Sequence, residues 1–172
     1  MSDPTVRRAQ IQAGLAAVRQ RIDQACLVAG RADPVSLVVV TKTFPASDVM
    51  ILRDLGVTEV AENRVQEAEA KHRDVPSAGA DIPLRWHMIG QIQRNKAASV
   101  AAWADVVESV DRPELVAALG RAAVARARTL DVLVQIALDP APRPGRGGID
   151  PSAALDLAEA VDAEEGLTLR GV

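Results

Sequence analysis

Tyrosine is absent from this 172-residue chain, phenylalanine occurs once and tryptophan twice. Single-stranded nucleic acids are held on stacked aromatic rings flanked by basic side chains. Here 20 Lys and Arg face 23 Asp and Glu with no basic block, so nucleic acid is excluded as a partner class. Cys26 is the only cysteine, which rules out an internal disulfide, and two histidines are too few for a structural zinc site. No apolar run approaches the length of a membrane span, so no membrane is expected. Met1-Ser2-Asp3-Pro4 is not a basic segment leading into an apolar one, which points to a cytoplasmic protein without a secretory signal.

What the chain does have is 48% hydrophobic residues, enough for one core, so residues 1–172 are expected to form a single domain. Its organising stretch is Val35-Ser36-Leu37-Val38-Val39-Val40-Thr41-Lys42-Thr43-Phe44-Pro45. β-Branched residues predominate, and Pro45 ends any ladder. Lys42 stands at the C-terminal end of this strand, where an ammonium is costly unless it is paired or loses its proton. A neutral lysine amine is the nucleophile of Schiff-base chemistry. A lysine that simply reaches from the strand end into water fits the same pattern.

The first helix is read over Val6 to Gly30, with Ile11, Leu15, Val18, Ile22 and Cys26 at helical spacing. Helices from Pro45 to Gly56 and from Arg64 through Lys71 alternate with strands at 57–61 and 84–89, with the loop 75–83 between. Further strands are read at 106–110, 131–137 and 167–172. Between them lie a helix capped by Asp111 and Pro113 and another that starts at Asp150-Pro151. Such alternation implies a parallel sheet with right-handed crossovers. No Gly-rich phosphate loop follows the first strand, which weakens a dinucleotide-binding sheet, while six strands fall short of a barrel's eight. Pattern alone leaves an open doubly wound sheet and an incomplete barrel both standing.

Four motifs taken together go further: Val39-Val40-Thr41-Lys42-Thr43, Ala61-Glu62-Asn63, Trp86-His87-Met88-Ile89-Gly90 with Gln93-Arg94-Asn95-Lys96, and Leu169-Arg170-Gly171. In this order and spacing they resemble the pyridoxal-phosphate homeostasis proteins, over nearly the whole chain from residue 6. The resemblance implies a (β/α)8 TIM barrel of the alanine-racemase kind with about six of its eight strands, incomplete at the C-terminus. It implies pyridoxal 5'-phosphate carried as a Schiff base on Lys42, Asn63 beside the cofactor, and His87 and Met88 under its ring. The Gly147-Gly148-Ile149 turn fits the family's glycine-bearing loop after the fifth strand. The chain departs from the family at Phe44, where a lysine is usual, and it stops before two strands whose loops hold the phosphate. Arg143 and Arg146 are the basic residues on a remaining strand-end loop.

Individual residues also have plainer readings. Asn63 is placed to cap the helix that begins at Arg64. His87 suits a satisfied core histidine, and Glu62 suits a partner for Arg64 or Lys42. Three functions follow from the resemblance. The first is a carrier in cofactor homeostasis with no reaction of its own, and PLP-dependent apoenzymes as partners. The second is a racemase-like enzyme, disfavoured because the superfamily's second acid/base is a tyrosine and this chain has none. The third is a truncated form that binds little cofactor. A complete barrel would be a monomer, whereas open strand edges would invite association.

Overall fold

The computed structural model describes residues 3–76, 83–139 and 147–172. Helix α1 (Pro4–Val28) precedes strand β1 (Val38–Val40), and then α2 (Ala46–Asp54), β2 (Glu59–Glu62), α3 (Val65–Asp74) and β3 (Arg85–Met88) follow. A 3-10 turn, Arg94–Lys96, leads into α4 (Ala97–Val100), followed by β4 (Val106–Val110), α5 (Pro113–Val124) and β5 (Leu130–Val134). A second 3-10 turn, Pro151–Ala153, leads into α6 (Ala154–Asp162) and β6 (Leu167–Gly171).

The six strands form one sheet in the order β1-β2-β3-β4-β5-β6, and every neighbouring pair is parallel. This order decides between the two architectures that the sequence pattern leaves standing. A doubly wound sheet reverses its direction of growth and places helices on both faces. Here each strand adds to the same side of its predecessor, so right-handed crossovers put the helices after β1 on one face. That is the winding of a (β/α)8 barrel, here with six strands.

Alternation along each strand sorts the two faces. Val60, Trp86, Met88, Val107 and Val132 point to the helices and are buried against residues such as Leu52, Leu115, Leu119 and Leu157. Val38, Glu59, Ala61, Arg85, His87, Val106 and Asp131 stand on the opposite, inner face, register by register. β4 is buried on both faces, as its apolar run implies, whereas Val40 on the inner face of edge strand β1 is 44% exposed.

Several local features differ from the sequence reading. β1 is three residues long because Val35 to Leu37 have no neighbour to pair with and the chain turns after Thr41. α1 begins at Pro4, where Asp3 accepts a hydrogen bond from Thr5 N, and it buries only Leu15. It lies beside α2 and leaves a cavity of about 350 Å3 against β1, lined by Leu15, Val18, Leu37, Val39 and Phe44. Asp111 does not cap α5: the cap position is Arg112, and the Asp111 carboxylate accepts a hydrogen bond from Arg112 itself. Among the described residues no helix is long and apolar enough to cross a membrane.

Candidate functional site

In barrels of this winding the chemistry collects at the C-terminal ends of the strands. At the end of β1 the chain reverses through Thr41-Lys42-Thr43-Phe44, closed by Phe44 N donating to Thr41 O at 3.1 Å. Lys42 occupies the first central position of this turn and is exposed. Thr43 takes the second with φ +69°, a left-handed conformation that glycine fills readily and a β-branched residue rarely does. An outlier of this kind persists only where its surroundings over-determine it, and such residues cluster at functional sites.

Those surroundings are polar and buried. Lys71 on α3 donates from Nζ to Thr41 O at 2.7 Å and to Glu62 Oε1 at 2.5 Å. Thr41 Oγ1 donates to the same Glu62 oxygen at 2.6 Å, while Glu62 Oε2 is buried without a partner. Glu62 is fully buried and Lys71 8% exposed, so this is an ion pair inside the interface between β2 and α3. From the sequence, Glu62 suits Arg64 or Lys42 as its partner. Arg64 instead binds Glu67 at 2.9 Å, and no carboxylate pairs with Lys42 among the described residues.

Asn63 follows β2 directly, at the level of Lys42, because Val40 pairs with Ala61 and each lies two residues earlier. It does not cap α3; Arg64 holds that position without a side-chain bond, so the Asn63 amide is exposed and makes no hydrogen bond among the described residues. β3 crosses closely behind it. A Cβ on Gly90 would lie 1.9 Å from Asn63 O and 2.8 Å from its Oδ1, so only glycine fits there. Ile89 N donates to Glu62 O at 3.0 Å, and Ser109 Oγ donates to Gly90 O at 2.7 Å, which fixes the ends of β2, β3 and β4 against one another.

His87 shares the inner face with Ala61, two residues below Asn63, or ~7 Å deeper along the strand. Both ring nitrogens are engaged: Nδ1 is 2.6 Å from Glu108 Oε1 and Nε2 is 2.5 Å from Glu59 Oε2. Burial disfavours the charged ring, but hydrogen bonds and charges from Glu108 and Glu59 outweigh it and raise the His87 pKa above the usual histidine value. Arg85 continues the chain, 3.5 Å from Glu59 and 2.5 Å from Asp131, and Arg170 reaches Asp131 at 2.9 Å. With His87 protonated, three positive and three negative groups alternate across the inner face. Met88 lies on the other face of β3, in register with Glu62 and without exposure, because neighbours on a strand point oppositely. The register therefore brings Lys42 and Asn63 to one level at the strand ends, with His87 one layer deeper on the inner face, and it turns Met88 toward the helices.

Residues 14–172 match the family described as alanine racemase, N-terminal domain. The pyridoxal phosphate homeostasis protein of Mycobacterium bovis is 42% identical over 96% of this chain and 70% of its own length. The chain belongs to the pyridoxal phosphate homeostasis protein family. A solved structure from Bifidobacterium adolescentis superposes with a TM-score of 0.86 at 33% identity, over 100% of this chain and 71% of that one. PipY of Synechococcus elongatus, solved with pyridoxal phosphate bound, gives 0.75 at 27% identity, over 94% and 68%.

The buried Glu62–Lys71 pair and the charged chain through Glu59, Arg85 and Asp131 were not read from the sequence. No local signal marks the first: Lys71 lies nine residues beyond Glu62, on the helix that follows. On the inner face, the partners of Arg85 and His87 come from β2, β4 and β5, so the chain of charges shows only once the strands are paired. The basic loop residues Arg143 and Arg146 lie outside the described residues.

Proposed function

We propose that this protein carries pyridoxal 5'-phosphate covalently on Lys42 and serves cofactor homeostasis, with PLP-dependent apoenzymes as recipients. The observation that carries the reading is the Lys42 turn: an exposed amine, unpaired with any described carboxylate, at the mouth end of β1 beside the unspent amide of Asn63. The names of the relatives and the cofactor bound in PipY support the same reading.

The donor set fits the aldehyde end of this cofactor. Lys42 and Asn63 would hold that end, and bound pyridoxal phosphate would supply there an electrophilic aldehyde carbon for an amine. This chain's part is to present a neutral amine, because the protonated form has no lone pair to add. Asn63 offers an amide N–H or C=O to the ring side, held in place by the contact with Gly90. His87 and its carboxylates support the floor beneath and, with both nitrogens engaged, do not compete for Lys42.

Absorbance of the purified chain with added pyridoxal phosphate tests the reading. A new near-ultraviolet or visible band that is absent from Lys42→Ala is expected. An identical band in that variant would refute attachment at Lys42.

A further inference from the structure

We propose that the buried pair of Lys71 and Glu62 positions and activates Lys42, holding its turn while withholding a carboxylate from its amine. The inference rests on the reading of Lys42 as the carrying amine and adds two positioning residues to it.

Geometry supports the first half. Thr41 O accepts two hydrogen bonds, from Phe44 N at 3.1 Å and from Lys71 Nζ at 2.7 Å. The peptide that this carbonyl belongs to joins Thr41 to Lys42, so Lys71 fixes the plane from which the Lys42 side chain departs. The same clamp bears on the left-handed Thr43. On the remaining side, Arg7 of α1 binds Asp48 of α2 and lies 5.4 Å from the Phe44 ring centre. The turn is thus gripped from both flanks.

Charge supports the second half. Glu62 is the buried acid next to the turn, and a carboxylate close to an amine favours the ammonium and lowers its nucleophilicity. Lys71 cancels that charge from inside the fold, and Arg7 likewise cancels Asp48. Both buried acids next to the turn are thus paired inside the fold and not with Lys42. The cancellation is narrow, because Lys71 and Thr41 both use Oε1 and Oε2 has no donor.

The chain has three lysines, Lys42, Lys71 and Lys96, so trace acylation at one pH followed by peptide mass analysis reads each amine separately. Lys96 serves as the internal reference. Relative to it, Lys71→Met should slow Lys42 acylation roughly three- to fivefold, the size of one unscreened charge near a partly solvated amine. Glu62→Gln should change it in the opposite direction by a similar factor, and the double variant should return to within about twofold of the parent. A merely structural pair would shift both single variants the same way or neither, and either result overturns the proposal. Should Lys71→Met fail to fold, the isosteric Glu62→Gln and the neutral double variant still decide it. No cofactor is present in this assay, so its outcome is independent of where pyridoxal phosphate attaches.

Discussion

Lys71 Nζ lies 2.5 Å from Glu62 Oε1, with Glu62 fully buried and Lys71 8% exposed, and the pair ties α3 to the end of β2 directly beneath the Lys42 turn. Breaking such a pair from one side leaves an uncompensated charge in the interior. Lys71→Met should therefore lower stability by ~3–5 kcal/mol, and the double variant Glu62→Gln/Lys71→Met by clearly less. Urea unfolding of the three proteins measures this. A single variant that costs under ~1 kcal/mol would show that the interface is wetter than the structure has it.

His87 gives the fold a pH dependence of definite sign. Its folded pKa is raised, so its contribution is complete below the unfolded value and is lost as pH rises through the folded one. His72 is shifted the other way, chiefly by burial, and its contribution fades on acidification. The comparison of parent with His87→Gln isolates the first effect: the stability gap should shrink with rising pH, by at most ~1.4 kcal/mol per pH unit. A gap that is flat or grows with pH would contradict the contacts with Glu59 and Glu108.

Gly90 should tolerate no side chain. In Gly90→Ala the new Cβ meets backbone at Asn63, which cannot swing aside as a flexible side chain would. A loss of ~1–3 kcal/mol is expected, together with weaker pyridoxal phosphate binding through displaced Asn63. Unchanged stability and affinity would mean that the ends of β2 and β3 are farther apart.

Thr43→Gly probes the strained turn. Glycine takes φ +69° without penalty, whereas threonine pays of order 1–2 kcal/mol there, partly offset by the greater freedom of glycine in the unfolded chain. The net expectation is a gain of up to ~1 kcal/mol with looser Lys42 presentation, seen as weaker cofactor binding. A destabilised variant would show that the Thr43 side chain has a stabilising role of its own.

The helix–strand alternation was legible in sequence because each element carries its own local signal: Pro and Gly punctuation, helical spacing, and β-branched runs such as 106–110. Barrel winding was not legible from pattern, because strand order depends on pairings between distant segments; the parallel pairing of β1 through β6 settles it. At the site, Lys42 and Asn63 stood out through motif position. Met88 faces the helices and not the ring side because adjacent strand residues point oppositely, and which of His87 and Met88 faces inward depends on the register with Glu62. The partner of Glu62 lies nine residues ahead on another element, a distance that no short-range rule reaches.

Borohydride reduction after incubation with pyridoxal phosphate, followed by peptide mapping, tests the central claim most directly. One pyridoxyl group per chain is expected, on Lys42, with Lys71 protected by its buried pair and Lys96 unmodified at stoichiometric cofactor. An adduct placed on Lys96 or Lys71, or shared evenly among the three lysines, would contradict it.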